Sequence, residues 1–498
     1  NPKAPILVMT TEILRNMFYL EPPENLGYVV LDECHYMGDE GRGTVWEEII
    51  INCPKEVQLV ALSATVSNIG EIADWISGVH RPIVAIHHPI RPVSLQYLLV
   101  DPEGKVLSLS ELPKRGRPAF EGDGRRRPHR RRRGPDSNKL IEELKNRRWL
   151  PAIYFIFSRS GCEAALRRLL EEGMNFIDPH RRPEVEEAIH RTLLDYPSVV
   201  PESELNSLIF EGLRRGAGIH HAGILPSLKR LTEVLFERGL VKVVFATETM
   251  SLGIHMPAKS VVIQNLRKRS EDGFRTLAVG ELTQMAGRAG RRGIDPEGKC
   301  LVAVESHEAL DEALRLIRGR PEPIESRFRI GYSSAAILLA SYPDPEAIRK
   351  NIERSFGQFQ NRKRMRALEV EREELLDKLA HVSGFEPPCC ELSDLVAYQE
   401  KRRILEAERQ RLRSEGRPKL EAMALELSQM PCHRCPERPH LERRLRRVRS
   451  LRAALKQRMR LLEELQDTYW DQFLKVAKVL EHFGYLQDGA LSPEGRLI

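Results

Sequence analysis

At 498 residues and 57.0 kDa, with 41% hydrophobic and 30% charged residues, the chain has material for three or four soluble domains with ordinary cores. No run approaches the roughly eighteen apolar residues of a membrane span, and no stretch resembles a secretory signal. A cytoplasmic protein without membrane contact is therefore expected. The formal charge of +7 sits in one place: residues 112–137 carry ten Lys or Arg against three acids. The remainder is balanced, so bulk charge marks no binding groove elsewhere.

The chain opens on Asn1 and passes at once into Ile6-Leu7-Val8-Met9, a buried-strand pattern. It closes on Leu491-Ser-Pro-Glu-Gly-Arg-Leu497-Ile498. Both ends are expected to be cut. Up to about residue 111, apolar runs (Tyr28–Leu31, Val57–Leu62) alternate with helical patterns such as Ile69–Ile76, which predicts a parallel sheet wrapped by helices. Residues 112–137, rich in Pro, Gly and Arg, cannot bury a core and read as a basic disordered linker. Alternation resumes over 138–320, with Ala152–Phe157, Val241–Phe245 and Ser260–Ile263 as strands of a second α/β domain.

Strand signals fade after Pro321. Residues 321–360 resemble the start of a winged-helix region, 361–469 read as a charged helical stalk inserted in it, and 470–498 resemble its remainder. In the stalk Leu441, Leu445, Val448, Leu451, Leu455, Met459, Leu462 and Leu465 form one apolar stripe, with arginines on the other faces. The eight cysteines do not suggest a disulfide framework. Cys34, Cys53, Cys162 and Cys300 read as core thiols. Cys432 and Cys435 form a CxxC with His440 after it and Cys389-Cys390 before it; whether these bind metal is open, since only one pair has ligand-like spacing.

The sharpest chemistry follows the strand at Val29-Val30-Leu31. Asp32 and Glu33 close it as paired carboxylates, one suited to Mg²⁺ and the next to orienting an attacking water. Ser63-Ala64-Thr65 ends another strand thirty-one residues later, and the hydroxyls of Ser63 and Thr65 are placed to sense the acidic motif. In the second domain Gln284-Met-Ala-Gly287-Arg288-Ala-Gly290-Arg291 combines glycines for close backbone approach with arginines spaced to meet phosphates.

Together these resemble superfamily 2 DExH-box helicases, in the superkiller-like branch that includes exosome-associated RNA helicases. Asp32-Glu33-x-His35 and Ser63-Ala64-Thr65 look like its motifs II and III, making His35, Ser63 and Thr65 coupling residues. Met9–Met17 resembles motif Ib, with Thr10, Thr11 and Arg15 on the nucleic-acid backbone. Ser158 and Arg159 resemble motif IV, and Thr247, Thr249 and Gly253 motif V. Gln284, Gly287, Arg288 and Arg291 match motif VI: the arginines as fingers toward the γ-phosphate, Gly287 beside the cofactor. The pair His220-His221 resembles a segment of that branch between motifs IV and V.

The resemblance implies two RecA-like domains, the first incomplete, followed by winged-helix and arch-like regions. It implies ATP and Mg²⁺ as cofactors and 3′-to-5′ movement on single-stranded or 3′-tailed RNA. DNA and a non-hydrolysing RNA-binding scaffold are the alternatives. A partner nuclease or RNA-decay complex is the implied company. Two departures stand out. The pattern GxxxxGK[ST] is absent from these 498 residues, which is expected to reflect truncation and to leave the chain inactive alone. His255 stands where the family carries Asn or Asp.

Overall fold

The computed structural model describes residues 4–20, 23, 25–64, 66–88, 90–110, 136–251, 256–270, 273–342, 344–383, 392–411, 417–487 and 489–495. The basic segment 112–135, Thr65, Gly253, His255, Cys389 and Cys390 lie outside these, as does the side chain of Thr249.

In the first unit β1 (Tyr28–Leu31) pairs in parallel with β2 (Gln58–Ala61), Tyr28 opposite Gln58 and Leu31 opposite Ala61. Alternation sends Val29, Leu31 and Leu59 inward, against α1 (Thr11–Leu20), α2 (Gly43–Asn52) and α3 (Ile69–Val79). The expected strand at Ile6–Met9 does not form. Ile6 and Val8 are 80% and 96% exposed, and no described strand lies beside them to satisfy their backbone groups.

The second unit holds a seven-stranded sheet in the order β4-β3-β11-β8-β5-β7-β6. Its strands are β3 (Ser94–Val100), β4 (Val106–Ser108), β5 (Ala152–Phe155), β6 (Ala217–His220), β7 (Val243–Ala246), β8 (Ser260–Ile263) and β11 (Glu297–Ala303), all parallel except β4. The central strands read as unbroken apolar runs because helices cover both faces. Those helices are α4 (Ser137–Asn146), α5 (Arg159–Glu171), α6 (Arg182–Asp195), α7 (Glu204–Arg214), α8 (Pro226–Glu237), α9 (Val279–Ala286) and α10 (His307–Arg318). Between β8 and α9 a hairpin of β9 (Arg267–Ser270) and β10 (Gly273–Thr276) projects from the sheet.

This moves the boundary expected at residue 111. Residues 94–108 add to the second sheet, because β3 pairs with β11 along all seven positions and buries Leu98, Leu99 and Val100. RecA-like α/β architecture is borne out, but the cut between units falls before Ser94.

Beyond Arg318 the chain returns to the first unit. Asn68 Nδ2 donates to Ile324 O at 2.9 Å and Asn68 Oδ1 accepts from Ile324 N at 2.8 Å; Trp75 Nε1 donates to Arg354 O at 2.8 Å. Glu47 makes the joint. Fully buried on α2, it accepts from Ser326 Oγ at 2.5 Å and from Phe356 N at 2.7 Å. Burial pushes its carboxyl up to about 8.

Phe356 opens the arm, so the helical stalk starts before residue 361. A small helical unit, α11 (Tyr332–Ser341) and α12 (Pro345–Ile352), precedes α13 (Phe356–Ser383), α14 (Leu392–Arg411), α15 (Arg417–Gln429) and α16 (Arg438–His482). α16 crosses the boundary expected at 469 and leads into the hairpin β12 (Leu486–Gln487) and β13 (Ala490–Leu491). Of the apolar stripe only Leu441, Leu445 and Val448 are buried, and Met459 is exposed: the first part of α16 packs on two neighbouring helices, the middle on α13 alone. Cys34, Cys53, Cys162 and Cys300 are buried free thiols as expected. Cys435 is disulfide-bonded, which the sequence did not suggest. Among the described residues no group of three or more His, Cys, Asp or Glu can hold a metal ion.

Candidate active site and nucleic-acid path

The acidic pair sits where β1 ends. Asp32 Oδ1 accepts the Glu33 N–H at 2.9 Å, and Glu33 takes a left-handed conformation (φ 52°, ψ 44°) before the short 3₁₀ turn Cys34–Gly38. Strain of that kind in a non-glycine residue persists only where its surroundings enforce it. Here Cys34 N donates to Leu62 O at 2.7 Å and Leu62 N to Leu31 O at 2.8 Å, continuing the ladder past the strand ends. Asp32 is exposed and its Oδ2 meets no donor among the described residues, which suits a hydrated Mg²⁺.

His35 joins this strand end to the next. Its Nδ1 accepts from Ala64 N at 3.3 Å and lies 3.3 Å from Glu33 Oε2. Burial lowers its pKa, opposed by the charges of Glu33 and Asp32. The two motifs thus meet through the imidazole and a backbone N–H. Ser63 is exposed, and among the described residues its hydroxyl makes no hydrogen bond to the acidic pair.

In the second unit α9 leads into the glycine–arginine motif. Arg288 is half-buried, with its pKa lowered by burial and raised by the charges of Glu33 and Tyr36. Gln284 approaches Tyr36 from the same helix, although Gln284 Nε2 and Tyr36 Oη lack a hydrogen bond of normal geometry. Arg291 points elsewhere: its Nε and Nη2 grip Asp295 at 2.7 and 2.9 Å. Gly287 ends α9, where a Cβ would stand 2.9 Å from Gln284 O. Gly290 has φ 89°, and a Cβ there would meet Val93 at 2.6 Å.

Two features escaped sequence reasoning. Arg91, in the irregular strap before β3, donates to Gly287 O at 2.9 Å and Ala289 O at 2.6 Å, so it clamps the glycine–arginine turn. Lys268 of β9 bridges Glu248 at 2.6 Å and Glu281 at 2.7 Å, and Glu281 also takes Arg275 at 2.6 Å. Burial alone would push Glu281 up, but Arg275, Lys268 and the Ala278 N–H hold it down to about 2. The network locks the turn Glu248–Ser251, the hairpin and α9 together. No local motif announces either feature, since the partners are far apart in sequence.

The expected nucleic-acid contacts spread over both units. Thr10 and Thr11 start α1, while Arg15 is bound to Asn16 at 3.0 Å and to the buried Glu48 at 3.5 Å. Ser158 caps α5, its Oγ accepting from Gly161 N at 3.0 Å, and Arg159 follows it. Thr247 N donates to His220 O at 3.2 Å. His220 and His221 pair with Glu233 at 3.0 Å and Glu163 at 3.4 Å; burial lowers both pKa values. They serve as structural imidazoles joined to carboxylates.

Residues 2–72 match the DEAD/DEAH box helicase family model. The chain is 36% identical over 437 residues to Superkiller complex protein 2 of Mus musculus, covering 80% of this chain and 34% of that protein. It is similar to the superkiller-like DExH-box helicases. Exosome RNA helicase MTR4 of Mus musculus is 36% identical over 72% of the chain and 36% of that protein. A chloroplastic DExH-box ATP-dependent RNA helicase of Arabidopsis thaliana is 35% identical over 82% of the chain and 40% of that protein. The chain thus spans well under half the length of each of these three curated relatives.

Proposed function

We propose that the protein is an ATP-driven RNA helicase moving 3′-to-5′ along single-stranded or 3′-tailed RNA in the cytoplasm, in company with a nuclease or RNA-decay complex. The observation that carries this is that the charge of Glu33, at the end of β1, acts on Arg288, just past α9, an acid and a candidate finger from different units. Among described helices none is long and apolar enough to cross a membrane, and the relatives named above are RNA helicases or a superkiller complex protein.

When bound, ATP with Mg²⁺ supplies the phosphoanhydride whose hydrolysis drives movement. Asp32 is placed to hold the ion through water, and Glu33 to orient the attacking water. Arg288 offsets charge that develops as the domains close. His35 passes the state of this strand end to Ala64. Thr10, Thr11, Arg15, Arg159 and Thr247 line the proposed RNA path, with Thr65, Thr249 and Gly253 assigned by the motif alone. Such contacts read phosphate rather than sequence.

The test is RNA-stimulated ATP turnover of the protein purified as its host makes it. Arg288→Lys is expected to lower turnover about a thousandfold, in the range for an arginine finger, with RNA affinity kept within about twofold. Unchanged turnover would reject the reading. Equal stimulation by 3′-tailed DNA would move the substrate from RNA to nucleic acid in general.

A further inference from the structure

Lys268 stands where three elements of the second unit meet. From β9 its ammonium reaches Glu248 Oε2 at 2.6 Å and Glu281 Oε1 at 2.7 Å. Glu248 opens the 3₁₀ turn that follows Thr247, and Glu281 lies in the first turn of α9. Arg275, directly opposite Lys268 in the hairpin, donates from Nη1 and Nη2 to Glu281 Oε2 and Oε1 at 2.9 and 2.6 Å. Two cations facing one another across a hairpin repel. Here Glu281 takes both, and also accepts the Ala278 N–H at 2.8 Å.

The network is not what keeps these elements folded. α9 buries Leu282, Met285 and Ala286, the 3₁₀ turn buries Met250, and the hairpin has its own ladder. Exposed ion pairs add little to stability. This ammonium, however, has a side chain only 11% exposed, so it relies on the carboxylates around it. What the four charges fix is relative position: the turn against the hairpin, and the hairpin against α9.

Position matters because of what each element carries. Thr247, beside Glu248, lines the RNA path proposed above. α9 carries Gln284 and leads into Arg288, and about 8 Å of rigid helix separates Glu281 from its end. Lys268 and its partners touch neither proposed site directly. They form a bonded link between them.

We propose that Lys268 is a positioning residue through which RNA at the Thr247 turn accelerates ATP turnover at α9. The inference rests on the helicase reading above and names a residue for its coupling. RNA that draws on the turn moves Glu248; the shared ammonium passes that displacement to Glu281, and the helix passes it to Arg288. Without the ammonium, Glu248 and Glu281 face each other as like charges and part.

The test measures ATP turnover of the protein purified as its host makes it, without RNA and with saturating oligouridylate. Lys268→Met is expected to lower the stimulation ratio at least about fivefold, the low end of coupling between two sites. Basal turnover, the KM for ATP and oligouridylate affinity are each expected to hold within about twofold, as for a residue that touches neither ligand. Lys268→Arg keeps the charge and is expected to recover the stimulation. Glu248→Gln acts on the same link, so the double variant with Lys268→Met is expected to lose no more than the worse single one. Should Lys268→Met melt more than about 5 °C early, Glu248→Gln, which leaves Lys268 paired with Glu281, carries the comparison.

An equal fall in basal and stimulated turnover would overturn the proposal and make the network a fold support. A loss of oligouridylate affinity would overturn it too, as would independent losses adding in the double variant or a stimulation ratio that Lys268→Met leaves unchanged. Each of these leaves the parent's RNA-stimulated turnover, and with it the helicase reading, in place. A parent without that turnover removes both.

Discussion

Ala64 donates its backbone N–H to His35 Nδ1 at 3.3 Å, and that nitrogen can accept only while it carries no proton. Once protonated, Nδ1 turns donor toward Glu33 Oε2 at 3.3 Å. The two contacts exclude one another, and burial, opposed by Glu33 and Asp32, favours the neutral ring. A histidine with a lowered folded pKa contributes stability above its unfolded value of about 6.5 and loses it as pH falls through the folded one. The melting midpoint of the parent is therefore expected to drop by about 2 °C more than that of His35→Gln between pH 7.5 and pH 5. Parallel curves would refute the switch.

Glu47 has the opposite sign. Its carboxyl, raised to about 8 by burial, binds its proton more tightly when folded than in the unfolded chain. Its stabilising contribution is complete below about 4.5 and is lost as pH rises through about 8. The parent is expected to lose on the order of 2–4 kcal/mol of first-unit stability between pH 5 and 9 from this group, and Glu47→Gln to flatten that loss. Denaturant titration at the two pH values gives the comparison.

Arg91 holds the glycine–arginine turn through Gly287 O and Ala289 O. Arg91→Ala leaves those carbonyls without their donor and frees the turn that carries Arg288. ATP turnover is expected to fall about tenfold or more, as a small misplacement of a reacting group allows, with RNA affinity unchanged. Arg91→Lys, whose ammonium ends one bond short of the Nη2 that donates to both carbonyls, is expected to restore little. Full activity in either variant would show that the strap is dispensable.

Gly290 faces two penalties at once. Its φ of 89° disfavours any side chain, and a Cβ would stand 2.6 Å from Val93 Cγ1. Gly290→Ala is expected to cost on the order of 3 kcal/mol in equilibrium unfolding. Adding Val93→Ala removes the 2.6 Å contact but leaves Val93 Cβ at 3.1 Å, Gly298 Cα at 3.2 Å and the backbone strain, so recovery should stop at least about 1 kcal/mol short. Complete recovery would mean that the backbone relaxes freely at this turn.

The motif residues were legible because their spacing survives without knowledge of the fold: Asp32, Glu33, Ser63 and Gln284–Arg291 all close strands or line α9 where the alternation of apolar runs placed them. What escaped notice depends on contacts between distant residues. Ile6–Met9 has the composition of a strand and no neighbour to pair with, whereas β3 finds its partner two hundred residues away in β11. The segment His80–Val93 has no period at all, so nothing local singled out Arg91. Arg291 shows a limit of spacing: it occupies a finger position, yet Asp295 four residues on holds its guanidinium.

The edge strands borrowed from upstream decide how the protein can be divided at the bench. A fragment begun at residue 138, after the basic segment, would leave out β3 and β4 and strip the pairing partner from β11, whose inner residues are wholly buried. Such an edge is an open template for other chains, and that fragment is expected to precipitate. Starting near residue 90 keeps β3, β4 and Arg91 with the sheet and turn they complete, so the workable cut lies on the far side of what looks like the natural linker.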